Sequence, residues 1–279
     1  VSGGERTGDV LHLTESEQTF VFEGLGAKPA ISLNRDFSAP VQVRFDQPRE
    51  DRLKIAGAES DLVARWDAIN GLALEVLVHA TAAVRAGRSV DTDNALGTIL
   101  VETAEDSSLE PAFRALALTL PSELDIGREI GEDVDPDAIH LARKAVFSAI
   151  ANSGCASFAR LVEELREDNG FSPDADSAGR RALRNTALAY LAEAEKSPLP
   201  ARQAYDAATN MTDMIAALRI LAHQFSQCTF WSYPIGDELS EKGTLQSPVK
   251  YHTRKARFLG EVLVVVDLVE VPRYTGILH

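Results

Sequence analysis

The sequence predicts a mainly α protein: an α-solenoid or superhelical array of antiparallel helices, preceded by a partial β-sandwich segment. Three observations predict it. Apolar residues recur at period two up to about residue 46 and at period 3.6 from about Arg49 onward. Alanine, the best helix former, occurs 38 times before residue 224 and once after it, at Ala256. The 279 residues are 45% hydrophobic and 25% charged, too apolar for disorder and enough for two domains.

The elements follow in chain order. Phe20 and Phe22 alternate with Thr19 and Val21, and Val41, Val43 and Phe45 alternate with Gln42 and Arg44, the pattern of half-buried strands. Gly24 and Gly26 mark a turn between them. Pro40 has no N–H and pushes Ala39 away from helical dihedrals, so the second strand begins there or lies at an edge. So few strands do not close a sandwich. Residues 1–48 are therefore read as the end of a β-domain.

Beyond Arg49, Leu62, Trp66, Ile69, Ala73 and Val76 share one helical face. Asp135 followed by Pro136 is an N-cap with proline at the first helical position, opening a helix along Ile139, Ala142, Val146 and Ile150. Phe158, Leu161, Val162 and Leu165 keep the same spacing, as do Leu183, Ala187, Tyr190, Leu191 and Ala194. Thr212 with Asp213 is read as the cap of a helix carrying Ile215, Leu218 and Leu221. Short polar links such as Ser197 to Pro200 imply roughly eight to ten antiparallel helices over residues 49–223.

Charge and composition limit the function. With 28 basic against 42 acidic residues the net charge is −14 and the pI about 4.9, the wrong sign for nucleic acid or an anionic membrane. Residues 1–223 hold 22 Lys plus Arg and 36 Asp plus Glu, whereas residues 224–279 hold 6 of each. Two different kinds of sequence meet near Gln224. The run Val262 to Val266 is β-prone and interrupted by charges, short of the ~20 apolar residues of a membrane helix. Cys155 and Cys228 make neither a metal site nor a disulfide framework, which fits a reducing cytoplasm. The start at Val1, Ser2, Gly3, Gly4 looks like an excised piece and not a signal peptide.

The catalytic motifs fail one by one. Of His12, His79, His140, His223, His252 and His279, none is followed by Glu and no two are four apart, so the zincin motif is absent. His79 and His140 fall inside helices and are read as structural. Asp133, Asp135 and Asp137 begin a calcium-loop spacing that breaks at Ala138 and Lys144, and Asp174, Asp176 and Gly179 break at Ala178 and Asn185. Both are read as helix-capping acids. No phosphate loop or nucleophile elbow is present, and Cys155, after Gly154, is read as a small, partly buried side chain. Glu163, Glu164, Glu167 and Asp168 form a solvated face. Asn210, Met211, Thr212 reads as a cap and not a glycosylation acceptor. No catalytic, cofactor-binding or metal-binding residue is assigned.

The residues also carry a resemblance. Glu17 to Phe22 followed by Leu33 to Val41 resembles the closing strands of the Ig-like third domain of bacterial aminopeptidase N, the alanyl aminopeptidase among zinc metallopeptidases. Arg65-Trp66-Asp67-Ala68 looks like the start of that family's C-terminal helical domain. Glu110 to Phe113 with Leu116 to Glu123, Asp135 to His140 with Arg143, Arg184-Asn185 and Asn210 to Asp213 are similar to further stretches in the same order.

The resemblance implies a bacterial, cytoplasmic exopeptidase that removes single residues from peptide N-termini, with zinc polarising the carbonyl and a glutamate as general base. Its zinc and amine-binding motifs lie outside the portion matched. This chain is therefore expected to hold no zinc, to be inactive alone, and to form the wall that encloses the cavity and limits access. Its partners would be peptide substrates and the missing N-terminal and catalytic domains, with no nucleic acid and no membrane. An autonomous helical-repeat scaffold binding a protein partner is the alternative. Residues 224–279 lack the family's later segments and are read as a divergent tail, frameshifted, fused or disordered.

Overall fold

A computed structural model describes residues 5–7, 10–14, 16–26, 28–41, 43, 45–91, 94–166, 171–224, 257–258 and 264–265. Ten helices dominate it: α1 (Arg49–Ala58), α2 (Leu62–Arg85), α3 (Asn94–Glu105), α4 (Pro111–Ala117), α5 (Glu123–Ile130), α6 (Pro136–Ser153), α7 (Cys155–Glu164), α8 (Ala175–Glu195), α9 (Leu199–Ala207) and α10 (Met211–Gln224). Ahead of them β1 (Glu5–Thr7) pairs antiparallel with β2 (Val10–His12), and a 3-10 turn spans Arg35–Phe37. Near the end, two-residue strands β3 (Arg257–Phe258) and β4 (Val264–Val265) pair antiparallel.

Two long helices organise the array. α2 packs on α1, α3, α4, α5 and α6, and α8 packs on α4, α6, α7, α9 and α10. α2 is long and apolar enough to cross a membrane, but its face Ile69, Leu72, Ala73, Val76, Leu77 and Ala80 lies in the main core. That core is continuous from α1 to α8, and a smaller cluster of Leu188, Ala192, Ala201, Ile220 and Leu221 joins α8 to α9 and α10. Small residues set the spacing. A Cβ on Gly179 of α8 would stand 3.0 Å from the Ala112 amide nitrogen of α4, so this close approach excludes a larger side chain.

The caps follow the sequence closely. The Asp135 carboxylate accepts the Ala138 N–H at 3.0 Å and opens α6, with Pro136 in its first turn. Asp174 accepts the Ser177 N–H at 2.9 Å and opens α8. Asp61 accepts the Ala64 N–H at 2.7 Å at the head of α2, and Ser122 with Asp125 forms a capping box on α5. α6 and α7 meet at Gly154 with a bend of 75°. A Cβ there would lie 2.6 Å from the Phe158 ring and 2.7 Å from Val101, so only glycine lets α7 turn back onto the core. Phe158 in turn stacks on Tyr190, with ring centroids 4.7 Å apart, and Phe147 stacks on the other side at 4.3 Å.

Three expectations are corrected. Residues 18–23 and 41–45 form no paired strand among the described residues, apart from an isolated bridge at Thr19. Val21, Phe22, Val41, Val43 and Phe45 are exposed. A period-two pattern sets which side chains share a face, but a strand exists only where a neighbour supplies its ladder. Side chains near these segments bond backbone elsewhere: Gln18 Oε1 accepts the Thr14 N–H at 2.6 Å, and Gln47 Nε2 donates to the Ile31 carbonyl at 3.0 Å. The third correction is the cap of α10, which is Asn210 and not Thr212: Asn210 Oδ1 accepts the Asp213 N–H at 2.9 Å. The readings of Glu167, Asp168, Cys228, His252 and His279, and of most of residues 224–279, lie outside the described residues.

Candidate functional site at the corner of α5, α6 and α10

Titratable side chains of α5 and α6 meet at the start of α5, within electrostatic reach of His223 on α10. Leu118 to Glu123 runs across the ends of α6 and α8 because its carbonyls are taken up by side chains from both. Tyr190 of α8, fully buried, donates its hydroxyl to the Leu118 carbonyl at 2.7 Å. Arg143 of α6 donates Nε to the Pro121 carbonyl at 2.8 Å and Nη2 to the Leu120 carbonyl at 3.3 Å. One turn earlier on α6, His140 Nδ1 lies 2.8 Å from Glu123 Oε1. Both of these groups are exposed.

His223 of α10 lies within electrostatic reach of the same corner. Crowding by the surrounding protein lowers the proton affinity of its imidazole, as do the charges of Arg219, His140 and Arg143, while Glu123 opposes them. Beside the corner runs a shallow cleft of about 510 Å³, lined by Glu123, Leu124, Arg128, Val134 and Ile139 among others. Burial raises the Tyr190 phenol well above its usual range, so it remains a hydrogen-bond donor.

A second polar centre lies between α8 and α10. Asp213 is buried and accepts Asn185 Nδ2 at 2.9 Å and Asn210 Nδ2 at 2.8 Å, with Arg184 Nη2 at 3.3 Å. A third is Glu193 of α8, also buried, which takes the Ser148 hydroxyl and the Lys196 ammonium. Burial pushes its carboxyl pKa up, but these two donors and the Lys196 charge outweigh that and hold it below the usual value. Sequence reading named Asp213 only as part of a cap and missed Glu193. A polar residue in an otherwise apolar helical stripe was the available signal for both.

The other singled-out residues are dispersed. His79 is exposed on α2. Asp133 pairs with Arg85 at 2.5 Å, while Asp135 and Asp174 are consumed as caps. Glu163 and Glu164 are exposed, and Cys155 is partly buried against the core. Among the described residues no group of three or more His, Cys, Asp or Glu side chains is placed to hold a metal ion. Zinc therefore finds no fitting donor set among them. The corner ties the start of α5 to α6 through the Glu123–His140 and Arg143 contacts.

The chain resembles known proteins along most of its length. The family described as a domain of unknown function (DUF3458_C) with ARM repeats matches residues 49–231, and the one described as DUF3458 with an Ig-like fold matches residues 2–46. Aminopeptidase N of Caulobacter vibrioides is 37% identical over 218 residues, covering 76% of this chain and 24% of that protein. Aminopeptidase N of Haemophilus influenzae is 30% identical over 217 residues, covering 78% and 25%. The crystal structure of Legionella pneumophila aminopeptidase A in complex with aspartic acid matches with a TM-score of 0.61 at 24% identity, over 74% of this chain and 25% of that one. The chain thus spans about a quarter of the length of the curated relatives it matches. Several of the stretches that carry the resemblance tie elements of the helical array together: Arg65 to Ala56 and Thr103, Arg143 to Leu120 and Pro121, and Arg184 and Asn185 to Asp213. The chain belongs to the DUF3458_C ARM-repeat family and corresponds to the C-terminal part of bacterial aminopeptidase N.

Proposed function

We propose that this chain is the access-controlling wall of an aminopeptidase N-type zinc metallopeptidase of the bacterial cytoplasm, which removes N-terminal residues from peptides. It has no catalytic centre of its own. The observation that supports this reading is that Arg65, Arg143, Arg184 and Asn185, which lie in the stretches that carry the resemblance, tie elements of the helical array together. A wall must hold a fixed shape while the chemistry occurs elsewhere, and multiply bonded side chains such as buried Asp213 and half-buried Arg143 supply that rigidity. Zinc chemistry would come from the catalytic domain, where a bound zinc ion polarises the scissile carbonyl and activates water. The partners of this chain are then that domain and the peptides passing to it.

The test is a chimera in which residues 49–224 replace the matching stretch of the Caulobacter vibrioides enzyme, with kcat/KM measured on N-terminal alanine peptides of increasing length. The expected result is retained hydrolysis of an alanine anilide and a steep loss with peptide length. A chimera that cleaves long and short peptides alike removes the gating role, and hydrolysis of the anilide by this chain alone removes the absence of a catalytic centre.

A further inference from the structure

The turn at residues 34–40 is shaped by two residues in left-handed conformation, Asn34 at φ 53° and Asp36 at φ 55°. Asn and Asp tolerate that region better than other non-glycine residues, yet they hold it only when neighbouring bonds fix them. Asn34 supplies the internal brace. Its Oδ1 accepts the Ala39 N–H at 2.9 Å and the Ser38 hydroxyl at 3.3 Å, and its Nδ2 donates to the Ala39 carbonyl at 3.1 Å.

So braced, the turn directs two groups at the helical array. The Asp36 N–H donates to Asp61 Oδ2 at 3.0 Å. The Arg35 guanidinium lies 2.9 Å from the Ser60 hydroxyl and 3.1 Å from Glu59 Oε1. That same Glu59 oxygen accepts the Asp61 N–H at 3.0 Å and so orients the aspartate. The other oxygen of Asp61, Oδ1, caps α2 through Ala64. One carboxylate is shared between the β segment and the central helix of the array.

We infer that Asp61 is a two-sided clamp, capping α2 with one oxygen and locking the turn at residues 34–40 onto that helix with the other, so that this turn and the helical array are held in one orientation. Both carboxylates of the junction have pKa values below their ordinary ones. For Glu59, burial raises the value and the Asp61 N–H, Ser32 and Arg35 outweigh it; for Asp61, the Ala64 N–H is the main cause.

Asp61→Asn separates the two roles. Asparagine caps helices as well as aspartate does, through one carbonyl oxygen, but its second polar atom is a donor and cannot accept the Asp36 N–H. In hydrogen exchange on the full chain, the Asp36 amide is expected to exchange about tenfold faster in Asp61→Asn, while the Ala64 amide keeps its rate. Asp61→Ala should speed both. Asn34→Ala, which removes only the brace, should speed Asp36 alone. An unchanged Asp36 rate in Asp61→Asn, or equal acceleration at Ala64 in Asp61→Asn and Asp61→Ala, overturns the clamp. The readout is protection at two amides and not peptide turnover, so it stands or falls separately from the peptidase reading.

Discussion

The buried Asp213 carboxylate of α10 accepts the side-chain amide of the half-buried Asn185 of α8 at 2.9 Å. Asn210, which also caps α10, and Arg184 complete its shell. A buried carboxylate held by three donors is costly to dismantle, because each donor left behind is desolvated and unpaired. Asp213→Ala should therefore lower the stability of the chain by about 3 kcal/mol. Asp213→Asn, which keeps one acceptor oxygen, should cost about 1 kcal/mol. Urea unfolding followed by far-UV circular dichroism measures both, and equal costs for the two variants would refute the account.

The bend at Gly154 gives a second prediction. At an unhindered glycine inside a helix, such as Gly57 or Gly71, a Gly→Ala change would favour the helix. Here the new methyl would stand 2.6 Å from the Phe158 ring, which is stacked on Tyr190. Overpacking wins, and Gly154→Ala should cost about 1–3 kcal/mol. Near-UV circular dichroism should fall as the Phe147–Tyr190–Phe158 stack loosens, while far-UV signal stays. A variant as stable as the parent would show that α7 relaxes freely about the bend.

Much of this architecture was legible because helices are local objects. The spacing of Ile139, Ala142, Val146 and Ile150 specifies one buried face whatever packs on it, and Asp135-Pro136 and Asp174 carry their caps within three residues. The β segment was not legible to the same degree. Val41, Val43 and Phe45 alternate as a strand does, but whether they are paired depends on a neighbour that alternation does not name. The ties were hidden for the same reason. Nothing in the spacing of Arg184-Asn185 and Asn210 to Asp213 says that the two stretches meet, since that contact depends on how α8 and α10 cross.

His223 makes stability depend on pH. Crowding and the positive charges of Arg219, His140 and Arg143 hold its imidazole below the ordinary value of 6.5. The unfolded chain therefore binds a proton more readily than the folded one. That contribution to stability is complete above pH 6.5 and is lost as the pH falls through the lower, folded value. Melting temperature should decline on acidification from pH 7 to pH 5, and His223→Gln should flatten that decline. An identical slope in the variant would show that other groups govern it.

The acidity of the helical array bears on how substrates reach it. Residues 49–223 hold 18 Lys plus Arg and 29 Asp plus Glu, an excess of carboxylate far beyond what the described ion pairs neutralise. Only part of this excess is fixed in caps and ties such as Asp61, Asp135, Asp174, Asp213 and Glu193. Exposed acids such as Glu129, Glu132 and Asp137 remain as surface charge. If the array walls the cavity of a larger aminopeptidase, its field attracts the cationic N-terminus of an incoming peptide and raises the rate of encounter. Attraction of this kind is screened over a Debye length that shrinks from about 30 Å at 0.01 M salt to about 10 Å at 0.1 M. In the enzyme carrying this array, kcat/KM for a peptide with a free α-amine should fall several-fold across that range, with kcat nearly constant. An alanine substrate with extra C-terminal acidic residues should lose the dependence, because its own charge cancels the attraction. A kcat/KM indifferent to salt for both substrates would mean that the carboxylates face away from the path of the peptide.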